Sequence, residues 1–164
     1  MIATLWKNTG AREGVNLMRK MFMEEVKATG CRFEGGFYAV PGHPQYDELQ
    51  HLTFAKRYSI NEYIEKTKRS SVVFNTPAVH NCHGWKLGEY LAMGKAIIST
   101  PLSNELPAQM EHGKNIYLIS ESEDFKSALL KLLSDSEYRN TLEEGAKAYY
   151  LKYASPEAVI NLMI

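Results

Sequence analysis

Val72-Val73-Phe74-Asn75, Trp85-Lys86-Leu87-Gly88-Glu89-Tyr90-Leu91-Ala92-Met93-Gly94 and Ala96-Ile97-Ile98-Ser99 follow one another along the chain, joined by a loop from Thr76 to Gly84 and by Lys95. The two outer runs are short, continuously apolar and β-branched, as strands covered on both faces are. The segment between them is mostly apolar and is read as a helix over about 85–93. Gly94 stands where a helix commonly ends on a left-handed glycine. A strand, a helix and a second strand in that order predict a parallel pair with a helical crossover.

The same alternation continues outward. Ser59-Ile60-Asn61-Glu62 has the capping-box pattern, in which hydroxyl and carboxylate satisfy orphan amides, and predicts a helix to about Arg69 with Ile60, Tyr63, Ile64 and Thr67 on one face. Asn115 to Ile119 reads as another strand. Ser120-Glu121-Ser122-Glu123 then predicts a cap for a helix striped by Phe125, Leu129, Leu132 and Leu133, and Ser134-Asp135-Ser136-Glu137 one for a helix reaching about Tyr153. Ser155-Pro156 pairs an N-cap with proline at the first helical position. Before residue 59, Ile2 to Trp6 reads as a strand. A helix is expected from about Arg12 to Thr29 with Val15, Met18, Phe22 and Val26 as its stripe, closed by Gly30, and Cys31 to Val40 reads as a strand. Leu49 to Tyr58 fits either state. The fold class is therefore α/β, a Rossmann-like parallel sheet sandwiched by helices.

Composition bounds the function. With 164 residues the chain corresponds to about one domain, and 19 basic against 19 acidic residues leave it neutral. Nucleic-acid binding normally needs a positive field, which a neutral chain lacks. No apolar run approaches the ~20 residues of a membrane span. Two cysteines, Cys31 and Cys82, make no disulfide framework, so a cytoplasmic protein is expected. Tyr149, Tyr150 and Tyr153 are expected to pack as an aromatic stripe into the core, and the apolar segment Ala158 to Ile164 needs cover from this domain, another domain or another copy.

Open parallel sheets bind ligands beyond the carboxyl ends of their strands, where loops run into helix N-termini. This points to Asn75-Thr76-Pro77-Ala78-Val79-His80-Asn81-Cys82-His83-Gly84. Free amides and the partial positive charge of the helix suit a phosphate, and a glycine lets a ligand approach the backbone. Lys86 in the first turn opposes the helix dipole unless an anion lies beside it. Glu89, one turn on, is either on the wet edge of the helix or accepts hydrogen bonds from a polyol. His80, Cys82 and His83 also allow a zinc site or a thiol–imidazole nucleophile, but no second pair of ligands completes the first and nothing orients a base for the second. The expectation is no metal.

The stretch Gly84 to Ile98, with Glu89 and then Ala92-Met93-Gly94-Lys95-Ala96-Ile97-Ile98, resembles the nucleotide-sugar site of GT-B glycosyltransferases of the glycogen-synthase-like group. The likeness continues through Thr100-Pro101, Glu105-Leu106-Pro107 and His112-Gly113-Lys114-Asn115, covering about residues 59–153 well and residues 1–58 in outline. It implies that Glu89 hydrogen-bonds the ribose of a nucleoside-diphosphate sugar, that the amides of Cys82, His83 and Gly84 face the diphosphate and sugar, and that the nucleotide sugar is a substrate, with no further cofactor. Lys7 and Arg12 lie roughly where family members place diphosphate contacts, though surface charges are the commoner role for such residues. Where retaining members carry another Glu, with seven residues between it and the one matched by Glu89, this chain has Asn81, an amide that can still hydrogen-bond a sugar hydroxyl but brings no charge.

A complete GT-B enzyme has two domains, so the resemblance implies that residues 1–164 are the donor-binding domain alone. The acceptor domain would be absent from this chain or supplied by a separate partner chain. The implied activity is hexosyl transfer to an acceptor hydroxyl in cell-envelope polysaccharide biosynthesis, with any attachment to the inner face of the membrane left to the other half. A non-catalytic nucleotide- or sugar-binding module of the same fold, or part of a GT-B-type sugar-nucleotide epimerase, would read the same way.

Overall fold

The structure, a computed structural model, describes residues 2–5, 14–39, 41–54, 56–119 and 124–163. Its strands form two parallel ladders of three: β1 (Ile2–Thr4), β2 (Gly36–Tyr38) and β3 (Thr53–Phe54) in that order, and β4 (Val72–Asn75), β5 (Ala96–Ser99) and β6 (Tyr117–Leu118) in theirs. Val72 pairs with Ala96 and Asn75 with Ser99, so the two runs that decide the fold lie side by side in register. No hydrogen bonds join the two ladders among the described residues.

Side chains of a strand alternate between faces, and β4 and β5 show both faces covered. Val73 and Ile97 pack with Leu87, Tyr90 and Leu91 of α4 (Trp85–Ala92) and with Ala146 and Tyr149 of α6 (Ser136–Tyr149). Phe74, Ala96 and Ile98 face the other way, toward α1 (Val15–Ala28) and α5 (Phe125–Ser134). A third core holds Ala3, Leu5, Phe37, Leu49 and Leu52 against Met23. Helix α1 thus spans both ladders: Phe22 stacks on Phe74 at 4.0 Å while Met23 joins the other core.

This bridging rotates the buried face of α1 away from the expected stripe. Arg19, Phe22, Met23 and Val26 are buried, whereas Met18 is 38% exposed. The expected strand over 31–40 shrinks to β2, because β1 offers partners only from Ile2↔Gly36 to Thr4↔Tyr38. Upstream of it Phe33 packs on the cores and Glu34 pairs with Arg32 and Lys66. Residues 46–54 resolve into a short helix α2 (Tyr46–Leu49), a 3-10 turn and β3.

The caps explain where the helices start. Ser59 and Glu62 complete the reciprocal capping box ahead of α3 (Ile60–Arg69), although Ile60 is 75% exposed rather than on the buried face. Helix α5 is capped by Asp124, and residues 120–123, where its cap was expected, lie outside the described residues. Its stripe uses Ala128 instead of Leu133, which is 37% exposed. Within the stretch expected to cap α6 it is Asp135 that does so, accepting from the Tyr138 amide at 2.8 Å. Helix α6 continues through a wider turn to Ala154, with Tyr149 buried and Tyr150 and Tyr153 packed against the core. Ser155 caps α7 (Pro156–Met163), on which Val159 and Ile160 are 39% and 56% exposed.

Candidate functional site

The carboxyl ends of β1 and β4 flank a cavity of about 210 Å³ at the head of α4, lined by Thr4, Asn75, Thr76, Gly84, Trp85 and Lys86 together with Arg19. Arg19 reaches it from the buried face of α1, where it is only 8% exposed, and its Nε donates to Thr76 Oγ1 at 3.1 Å. Lys86 enters from the first turn of α4 and is half-buried. Burial lowers the titration of both groups. Lys86 falls to about 8, first through loss of solvent and then through the Arg19 charge, with Glu89 acting weakly in the opposite sense.

Neither cation forms an ion pair among the described residues. Burying charge without a counter-ion is costly, and Lys86 also opposes the helix dipole. Gly84, the N-cap, brings no capping side chain to the first-turn amides, and a Cβ there would meet no atom of the described residues within 4 Å. The ensemble is a cradle of donors and positive charge suited to an anion. Trp85 stands at its lip, 81% exposed.

One turn along α4, the half-buried Glu89 accepts a 2.7 Å hydrogen bond from the Tyr63 hydroxyl of α3. Tyr90, 1% exposed, lies alongside Tyr63. Burial, first of all, keeps both phenols protonated well above their usual range.

The loop before α4 is held by Ala78 N–H donating to the Cys82 carbonyl (2.8 Å), Ser103 Oγ to the Asn81 carbonyl (2.9 Å) and His83 Nε2 to the Asn104 carbonyl (2.9 Å). His80 and Asn81 both sit in the left-handed region, with φ of 56° and 57°. Two such residues in succession are strained, a feature that clusters at ligand-handling loops. Among the described residues His83 Nδ1 and Thr100 Oγ1 are buried without hydrogen-bond partners. With Nε2 donating, Nδ1 is the acceptor of that ring.

Of the residues read from sequence, Gly84 and Lys86 line the cavity and Glu89 follows them on the same helix. His83 joins the loop that carries Asn104, while Asn81 and Cys82 are exposed and do not line the cavity. Lys7 and Arg12 lie outside the described residues. Arg19 and Tyr63 were missed as site residues. Arg19 carried a signal, standing four residues after Val15 and three before Phe22 on an otherwise apolar face.

Among the described residues no group of three His, Cys, Asp or Glu could hold a metal ion, and no helix is long and apolar enough to cross a membrane. A larger cavity, about 440 Å³, opens at the amino end of β4 between Phe22, Phe33, Leu129, Lys66 and Arg69. It lies away from the strand ends where open α/β sheets bind ligands.

A sequence profile of the family described as "Glycosyl transferases group 1" matches residues 5–135. No curated protein sequence matches the chain. Among solved structures, a glycosyltransferase from Rickettsia africae ESF-5 superimposes with a TM-score of 0.66 at 13% identity, over 99% of this chain and 45% of that one. The C-terminal domain of the group 1 glycosyl transferase LpcC from Francisella tularensis gives 0.59 at 16% identity, over 92% and 84%. Anabaena Alr3699/HepE, solved in complex with UDP and glucose, gives 0.62 at 14% identity, over 99% and 46%. The chain thus spans less than half the length of the Rickettsia and Anabaena proteins and most of the single LpcC domain. The strands, helices and profile agree: this chain belongs to the glycosyl transferases group 1 family, and its fold is one half of the GT-B architecture.

Proposed function

We propose that the chain is the donor-binding half of a glycosyltransferase that takes its sugar from a nucleoside diphosphate. The observation that carries this reading is a pair of cations without an ion pair among the described residues, the buried Arg19 and the half-buried Lys86, beside the uncapped head of α4. A diphosphate would neutralise both and accept from the first-turn amides. Glu89, farther along α4, would accept from the ribose hydroxyls, the role that the family resemblance implies. His83 Nδ1 and Thr100 Oγ1, both buried and without partners among the described residues, would be available to sugar hydroxyls. Asn81, His83 and the Cys82 amide would then border the sugar rather than the diphosphate.

The acceptor and the base that activates it would come from a second domain, on the same polypeptide or on a partner chain. In this reading the isolated chain binds the donor without transferring the sugar, and acceptors of the cell-envelope polysaccharide class fit the family resemblance. Calorimetric titration with UDP, GDP and ADP tests the donor site: one of them should bind with a Kd below a millimolar, and no binding by any of the three at millimolar concentration would refute it. Transfer by the isolated chain, measured with a radiolabelled nucleotide sugar, would refute the division of labour.

Asn81 favours a second reading, a module that binds the nucleotide without catalysis. It stands where retaining members of the group carry a charged carboxylate, and it is exposed. Hydrolysis of the bound nucleotide sugar when the second domain is supplied, against none, separates the two.

A further inference from the structure

Glu89 belongs to a small polar chain, half-buried at Glu89 and Tyr63 and fully buried at Tyr90, rather than standing alone. Its Oε2 accepts from the Tyr63 hydroxyl at 2.7 Å, and Tyr63 lies beside the 1% exposed Tyr90. Tyr63 comes from α3 and Glu89 from α4, so the contact joins residues 26 apart in sequence. The backbone of Tyr63 is fixed within α3, where its carbonyl accepts from Thr67 Oγ1 at 2.8 Å.

A glutamate side chain has three rotatable bonds, and holding it still for a ligand costs entropy at the moment of binding. A carboxylate has about four acceptor sites, so one phenol occupies a fraction of its capacity. With Oε2 held from behind, Oε1 is left to the ligand in a fixed direction. We propose that Tyr63 is a positioning residue for the nucleotide site, its phenol holding the Glu89 carboxylate in the orientation that receives the ribose hydroxyls. The proposal rests on the donor-site reading and adds to it a residue from outside the loop and helix that carry the site. Because burial and the Glu89 charge hold Tyr63 protonated, the phenol stays a donor across the physiological range.

The test uses whichever of UDP, GDP or ADP the chain binds best, with its 2′,3′-dideoxy counterpart, which lacks the hydroxyls that Glu89 would receive. Wild type should prefer the ribonucleotide. Tyr63→Phe, which removes only the hydroxyl, should weaken the ribonucleotide three- to tenfold and change the dideoxynucleotide less than twofold. In a Glu89→Ala background the same substitution should change neither by more than twofold. Thermal melts of each variant confirm that the comparison is between folded proteins.

Equal losses for both nucleotides would make Tyr63 a strut between α3 and α4 and overturn the proposal. Unchanged or tighter ribonucleotide binding by Tyr63→Phe would also overturn it, because the phenol would then compete with ribose. Both results leave the donor site standing. A wild-type chain that binds no nucleotide would instead remove the donor-site reading, and this proposal with it.

Discussion

Arg19 Nε donates to Thr76 Oγ1 at 3.1 Å, joining the middle of α1 to the end of β4 across 57 residues of sequence. Among the described residues the terminal nitrogens of the guanidinium make no hydrogen bond. One edge of a rigid fork is therefore fixed by the protein and the rest is available at a cavity wall. That arrangement suits bidentate recognition of phosphate oxygens.

Arg19→Met keeps the length of the side chain and removes its charge and donors. Diphosphate binding should fall by roughly 10- to 100-fold, on the scale of ~1.5–3 kcal/mol for hydrogen bonds to charged groups. The corresponding nucleoside, which has no phosphate, should bind wild type and variant alike. Calorimetry with the two ligands checks this, and equal losses for both would show Arg19 to be a structural tie only.

Glu89→Gln retains shape while giving up charge. The charge-assisted hydrogen bonds it would make to ribose are worth ~1.5–3 kcal/mol, so nucleotide affinity should fall roughly 10- to 100-fold with the fold intact. Near-equal affinities of the two proteins by calorimetry, with matching thermal melts, would leave Glu89 without a role in binding.

Gly145 lies inside α6, where glycine is normally a liability. A Cβ there would overlap the Lys114 carbonyl oxygen and come within 2.8 Å of its carbon and 3.1 Å of Asn115 Cα. The glycine lets α6 pack against the backbone that leads into β6. Gly145→Ala should therefore destabilise by about 2 kcal/mol or more despite its better helix propensity, through overpacking against backbone that cannot rotate away. Urea denaturation measures it, and a stabilised variant would show that the contact relaxes freely.

These residues show what the sequence could and could not reveal. Strand, helix and cap positions from Ser59 to Ser99 were legible because period, capping chemistry and the glycine at 94 are local signals. The buried face of α1 was not, since its rotation depends on Phe22 and Met23 reaching two separate cores. Arg19 was legible only as a charge on that face, and its place at the cavity depends on the same rotation. Glu89 could be picked out on its helix, whereas its partner Tyr63 could not, because nothing in either segment encodes that α3 lies against α4 at that level. The alternation of elements implied one sheet, but the seam between the two ladders is a tertiary property that only the packing of α1 reveals.

The pH dependence of binding follows from Lys86. Its folded pKa is about 8, below the ordinary 10.5, because burial and then the Arg19 charge disfavour the protonated form. An anion favours that form, so it should bind best below pH 8 and weaken by roughly tenfold between pH 7 and pH 9 as the lysine loses its proton. Lys86→Arg, which stays charged throughout, should flatten the profile. For the unliganded fold the sign is opposite. The folded pKa lies below the unfolded one, so the cost of the buried charge is present in full below pH 8 and is relieved as pH rises from 8 to 10.5. Lys86→Met should therefore stabilise the unliganded protein at pH 7, by about 1–3 kcal/mol, while weakening its hold on a diphosphate. That advantage should shrink across the same window. Thermal melts and nucleotide titrations of the three proteins between pH 6 and 10 measure both trends. A wild-type affinity that does not change with pH would mean that Lys86 carries no charge into the site.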